Sequence, residues 1–173
     1  AISIRIAEAS KQLMIYDLNL QVRDEIQKKY PNLFAVDLPA GFSEVNVILT
    51  CLPNSKDVQS VVDLAIQDPK NLESLRYWID ATSGSPKLSQ QIAAQLQEYQ
   101  VDYLDCAVSG GPAGASSGSL TAMIGGNEEA FHAVKAVIQS FAKNLVHLGP
   151  VGSGHAVKAV NLSLIHISEP TRR

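Results

Sequence analysis

Leu104-Asp105-Cys106-Ala107-Val108-Ser109-Gly110-Gly111-Pro112-Ala113-Gly114-Ala115-Ser116-Ser117-Gly118-Ser119-Leu120-Thr121-Ala122-Met123-Ile124-Gly125-Gly126 is the stretch around which the chain is organised. An apolar run from Val101 to Leu104 reads as a strand that delivers the backbone into Ser109-Gly110-Gly111. Small residues follow until a second apolar run begins at Leu120. Without a Cβ, Gly110 and Gly111 reach dihedrals closed to other residues and let a ligand approach backbone N–H groups, which suits a carboxylate or phosphate. The same composition would also serve a small-residue hairpin loop, and the triplet by itself leaves both readings open.

Outward from this stretch, strand and helix patterns alternate. Val45 to Cys51 is a continuous apolar run, as expected of a parallel strand covered by helices on both faces. Tyr77 to Asp80 and Leu145 to Leu148 read as further strands, and Phe34 to Val36 as a short one. Helical spacing marks Leu20 to Lys29, Ser55 to Ile66 with Ser55 as N-cap, Leu88 to Gln97, and a helix after Asn127 carrying Phe131, Val134, Val137, Ile138 and Phe141. Apolar positions between Ile2 and Leu13 predict a helix that leads into a strand from Leu13 to Asp17. Such alternation, with no internal repeat, predicts an α/β class with right-handed crossovers.

Composition narrows the function classes. The chain has 173 residues, 46% of them hydrophobic, and a net charge of −3, which is ordinary for one globular domain with one good core. No basic stripe with interleaved aromatics is present, which argues against nucleic-acid binding. Cys51 and Cys106 are far apart and belong to no Cys-x-x-Cys pair, so a disulfide framework or zinc site has no support. No apolar stretch approaches the roughly 20 residues that span a bilayer, and the N-terminus lacks a signal-peptide pattern. His132, His147 and His166 have no ligand spacing, so no metal is implied. The pairs Asp24-Glu25 and Glu128-Glu129 read as solvated or dipole-stabilising groups.

A second motif, Gly149-Pro150-Val151-Gly152-Ser153-Gly154-His155-Ala156-Val157-Lys158-Ala159-Val160-Asn161, follows the first. Together, in this order, they resemble the β-hydroxyacid dehydrogenases, the relatives of 3-hydroxyisobutyrate dehydrogenase. The resemblance implies a Rossmann-like α/β fold, doubly wound with a mostly parallel sheet and truncated. It also implies an oxidoreductase that moves a hydride between the CH–OH group of a 3-hydroxyacid and NAD(P). In that reading Lys158 is the catalytic residue, and Ser109, Gly110, Gly111 and Asn161 bind substrate. Asn161 lies one helical turn after Lys158, so both can address one ligand from the same face. The apolar run Ala156 to Val160 would bury Lys158 and favour its neutral amine.

The resemblance also implies a cofactor set. Asp17, at the end of its strand, would accept hydrogen bonds from the adenosine ribose, and its carboxylate would repel the phosphate of NADP, so NAD is expected. Leu52 and Pro53 would lie against the adenosine and ribose side, and Ser83 of Ala81-Thr82-Ser83-Gly84-Ser85-Pro86 would meet the cofactor. On this alignment the first strand and the Gly-x-Gly-x-x-Gly turn would fall before residue 1, and the dinucleotide-binding domain would be residues 1–154, so that residues 1–173 by themselves are expected to be inactive and to bind NAD only weakly. Residues 155–161 would begin an interdomain helix. From Leu162 the likeness stops, and Pro170 with the terminal arginines does not continue a helix, so residues 162–173 are expected to be a non-native tail. The expected partner is a small hydroxyacid, with no nucleic acid and no membrane, in a homo-oligomeric whole protein of a reducing intracellular compartment, mitochondrial or cytoplasmic. Two alternatives stay open: an enzyme resembling 6-phosphogluconate dehydrogenase, and a non-catalytic dinucleotide-binding scaffold module.

Overall fold

A computed structural model describes residues 1–9, 13–30 and 33–168. In chain order the elements are α1 (Ile2–Ala9), β1 (Leu13–Ile15), α2 (Leu20–Lys29), β2 (Leu33–Ala35), β3 (Val47–Thr50), α3 (Ser55–Ile66), β4 (Tyr77–Asp80), α4 (Pro86–Gln97), β5 (Asp102–Ser109), α5 (Gly111–Ser117), β6 (Leu120–Gly125), α6 (Glu128–Gln139), β7 (Ala142–His147) and α7 (Ser153–Ser168). Short 3-10 turns lie at Ala40–Glu44 and Pro69–Leu72.

The strand residues explain why helices cover both faces. Side chains alternate across a strand, so Trp78 and Tyr103 face one way while Ile79 and Leu104 face the other. Val58, Val62 and Ala65 of α3, with Ile92 and Leu96 of α4, close the first core over Trp78 and Tyr103. Ile6 of α1 and Ala130, Phe131, Val134 and Ile138 of α6 close the second over Ile79 and Leu104. Each large side chain fully buried in this way contributes about 1.5–3 kcal/mol relative to exposure, so the two-sided cover stabilises the sheet more than any single polar contact.

Helix starts are specified locally. Asn19, Asn54 and Asn127 each stand before a helix and accept two backbone N–H groups of its first turn. The cap of α3 is therefore Asn54 rather than Ser55, which is buried and instead accepts the backbone N–H of Ser85 at 2.8 Å. The Ser55 hydroxyl is engaged by Ser85, and the Asn54 side chain meets the N–H groups of Lys56 and Asp57.

The sheet is mostly parallel, as expected, with two features that the sequence reading did not specify. Strands β3-β4-β5-β6-β7 form one five-stranded sheet, parallel except where β6 runs antiparallel to β5, while β1 and β2 form a separate parallel pair. The antiparallel turn arises because the small-residue stretch folds as the seven-residue helix α5, too short for a crossover, and returns the chain beside β5. Strand bounds also move: β5 runs on to Ser109, β1 ends at Ile15, and β7 begins at Ala142. Helix α1 ends at Ala9; residues 10–12, over which the expected helix would continue, lie outside the described residues. Helix α7 begins at Ser153 and continues beyond Asn161 to Ser168; Pro170 and the terminal arginines, where the sequence predicts that no helix continues, lie outside the described residues. Among the described residues no helix is long and apolar enough to cross a membrane.

Candidate active site

Parallel strands β3, β4 and β5 end on one rim, and each hands its chain to a residue of interest: β3 to Cys51, β4 to Ala81-Thr82-Ser83, and β5 to Ser109-Gly110-Gly111. Helix α7 starts against β5 and β6 and brings Lys158 over the same rim. Ile2, Cys51, Ser83, Val108, Ser109, Gly110, Gly111, Pro112, Ala115, Leu120 and Lys158 line a cleft of about 440 Å³. Gly110 and Gly111 take φ of +130° and +63°, backbone that an L side chain rarely adopts, so the turn after β5 requires glycine. A second recess of about 540 Å³ opens at the starts of α3 and α4 and shares Ser83 with the first. Each holds one lysine, Lys56 in the second recess and Lys158 in the cleft, and it is the cleft that joins its lysine to the Ser109-Gly110-Gly111 turn.

A buried polar cluster braces the loop that carries Ser83. Asp80 accepts from Thr50 Oγ1 and from the backbone N–H of Thr82, both at 3.0 Å, and from the Tyr103 hydroxyl at 2.6 Å. Thr82 Oγ1 in turn accepts the backbone N–H of Leu52, and Trp78 Nε1 donates to Thr50 Oγ1. Burial first, and then the Asp80 carboxylate, push the Tyr103 phenol well above its ordinary value, so Tyr103 stays a donor. Every polar group in this cluster has a partner, which makes the β3 and β4 ends rigid.

The sequence-expected residues separate into two groups. Lys158, Ser109, Gly110, Gly111 and Ser83, from three distant parts of the chain, line one cleft. Asn161 lies one turn beyond Lys158 on α7, half-buried, but is not among the cleft's lining residues. Leu52 packs its side chain against the Trp78 core and Pro53 is exposed; neither lines the cleft. Asp17 is exposed just beyond β1, where one carboxylate oxygen accepts the backbone N–H of Asn19 at 2.8 Å. One expectation is corrected: the run Ala156 to Val160 does not bury Lys158. Val157 and Val160 are 40% and 59% exposed and Lys158 is half-buried, because only one side of α7 meets the sheet.

Sequence reading missed several groups. Asp105 is fully buried and accepts the backbone N–H groups of Gly152 and His155 at 2.6 and 2.8 Å. His155 is also buried, with Nδ1 at 2.7 Å from Ser89 Oγ on α4, and its ring fills the space that a Cβ at Gly84 would take. Cys51 is exposed on the cleft rim, yet local desolvation, followed by the negative Asp80, raises its thiol above the ordinary value. We expect iodoacetamide to modify Cys51 slowly at pH 7.5 and faster above pH 9, because the reactive thiolate is scarce below the raised pKa. Mass spectrometry would read this; equally fast labelling at both pH values would contradict it.

The residues suit a dinucleotide in part. The free oxygen of Asp17 fits a ribose hydroxyl, and Ser83 offers a hydroxyl at the carboxyl end of β4, where α/β sheets bind ligands. No Gly-x-Gly-x-x-Gly occurs in the 173 residues, so a pyrophosphate cradle of that kind is not among them.

Comparison with known proteins agrees with this layout. A profile of the family described as the NAD binding domain of 6-phosphogluconate dehydrogenase matches residues 1–149. The chain is 30% identical over 173 residues to a probable mitochondrial 3-hydroxyisobutyrate dehydrogenase of Dictyostelium discoideum, covering 96% of this chain and 53% of that protein. It is 34% identical over 120 residues to 2-(hydroxymethyl)glutarate dehydrogenase of Eubacterium barkeri, covering 69% of this chain and 40% of the relative. The fold matches 3-hydroxyisobutyrate dehydrogenase of Mycobacterium tuberculosis, solved with L-serine, with a TM-score of 0.85 at 24% identity, over 96% of this chain and 56% of the other. The chain thus spans about half the length of these relatives.

Proposed function

The chain belongs to the family described as the NAD binding domain of 6-phosphogluconate dehydrogenase, and from that premise and the cleft we propose an NAD-dependent dehydrogenase of short 3-hydroxyacids. The observation that carries the reading is the convergence of Lys158, Ser109-Gly110-Gly111 and Ser83 on one cleft. The turn after β5 would hold the substrate carboxylate, and Lys158 would take the hydroxyl proton, while apolar Val108, Pro112, Ala115 and Leu120 would surround a short carbon skeleton. Bound NAD would supply the hydride acceptor, held by Asp17 at the ribose and by Ser83, with the Leu52-Pro53 turn alongside. Asn161, one turn beyond Lys158 on α7, would bind a substrate oxygen through its uncharged amide.

Lys158 is the only basic residue among those lining the cleft, which favours a substrate with a single carboxylate over a phosphorylated one. The Asp17 carboxylate favours NAD over NADP. We read residues 1–154 as the dinucleotide-binding unit, followed by the turns that carry Lys158 and Asn161. Two free thiols and the mitochondrial name of the D. discoideum relative support a reducing intracellular compartment, mitochondrial or cytoplasmic. Outward-facing Val157 and Val160 support a homo-oligomeric whole protein.

The experiment is formation of NADH by the whole protein, followed optically, from NAD and a panel of 3-hydroxyacids, with 6-phosphogluconate as competitor substrate. Turnover of a short 3-hydroxyacid is the expected result. Turnover of 6-phosphogluconate alone would replace the substrate assignment, and nucleotide binding with no turnover would favour a scaffold module. Asp17→Asn should shift the ratio of NAD to NADP affinity toward NADP by about tenfold, the size of one lost charge repulsion near a phosphate. An unchanged ratio in a binding titration would remove Asp17 from the cofactor site.

A further inference from the structure

We propose that Asp105 is the positioning residue for Lys158, a role that rests on the proposed function. Asp105 lies mid-way along β5, four residues before Ser109, so the strand that carries it also carries the substrate turn. Its two carboxylate oxygens accept separate backbone N–H groups at the start of α7, from Gly152 at 2.6 Å and His155 at 2.8 Å. Lys158 follows His155 by one helical turn on the same helix. One buried carboxylate is therefore the common foot of the substrate turn and of the lysine.

The packing leaves this foot no slack. A Cβ at Gly125 would strike Asp105 Oδ1, and one at Gly154 would strike the carbonyl of Met123 and lie 2.8 Å from the carbonyl of Asp105. Backbone of α7 thus rests on backbone of β5 and β6. None of the three ion pairs among the described residues involves Asp105: its charge is met by N–H groups and the positive end of a 16-residue helix.

Asp80 supplies the control. It lies in register beside Asp105 on the neighbouring strand and is equally buried, but its partners are Thr50, Thr82 and Tyr103, none of them on α7. General damage to the buried sheet would affect both carboxylates alike. Of the two, only Asp105 bonds the backbone of the α7 start directly.

The test uses the full chain and reads the amine of Lys158 directly. Competitive acylation followed by mass spectrometry gives the reactivity of Lys158 relative to Lys135 and Lys143 in the same molecules, as a function of pH. In Asp105→Asn, where one amide hydrogen opposes a backbone N–H and a bond is lost, this ratio and its pH profile should change by at least about threefold; in Asp80→Asn they should stay as in the parent. In a preparation that turns over a 3-hydroxyacid, Asp105→Asn should lower kcat by about tenfold or more with KM within about threefold. Hydrogen exchange on the unaltered chain serves if the variant does not fold: the Gly152 and His155 amides should be protected at least about 100-fold. Unprotected amides, an unchanged Lys158 ratio in Asp105→Asn, or the same change in both variants would each overturn the proposal. Absence of turnover in the parent would instead remove the hydroxyacid reading, leaving exchange and acylation to decide the role of Asp105.

Discussion

Replacing Lys158 by alanine is expected to lower kcat for a 3-hydroxyacid by about 10²- to 10⁴-fold, the range over which a positioned acid–base group contributes. The effect should fall on kcat because an amine that handles the hydroxyl proton does most of its work in the transition state. Affinity for NAD should change by less than about threefold, since the side chains assigned to the cofactor, Asp17 and Ser83, lie on other elements. Folding should be nearly unaffected: Lys158 is half-buried, makes no ion pair among the described residues, and alanine is the best helix former. Steady-state kinetics with a parallel binding titration decide the matter. Turnover within tenfold of the parent would exclude Lys158 as the base.

Replacing Gly154 by alanine is expected to cost about 1–3 kcal/mol of stability and about 10²-fold in kcat. The added methyl would strike the Met123 carbonyl and lie 2.8 Å from the Asp105 carbonyl and 3.0 Å from its Oδ2. Two of these obstacles are backbone atoms of β6 and β5, so no rotamer change relieves them and α7 must lift from the sheet. Lifting α7 stretches the bonds from Gly152 and His155 to Asp105 and carries Lys158 away from the turn after β5. Denaturant unfolding measures the first effect and kinetics the second. Parental values in both would mean that the helix does not rest on the sheet in solution.

Helix and strand identities were legible where the determining contacts are local. Asn127 lies within reach of the N–H groups it caps, a period of 3.6 marks α3 and α6, and short apolar runs mark β4 and β5. The exchange of Ser55 for Asn54 as the cap of α3 marks the resolution of that reading, since both residues have capping side chains and only geometry chooses. The burial of Lys158 was misread for a related reason. An apolar run predicts burial only if its whole circumference meets the protein, and α7 is covered on one side.

What the sequence determined by itself was the α/β class, the helical cover on both faces of the sheet, and the identity of the two glycine-rich motifs, because each depends on residue type and spacing along a single segment. Tertiary structure alone decided the antiparallel return of β6, the separation of β1 and β2 from the main sheet, and the meeting of Ser83, Ser109 and Lys158 in one cleft. It also decided that Asp105 would cap α7 rather than face solvent, across 47 and 50 residues of sequence. Such contacts form when loop closure and burial are settled together for the whole chain, and a buried carboxylate is stable only where the fold delivers N–H groups to both its oxygens, a condition that no local pattern around Asp105 specifies.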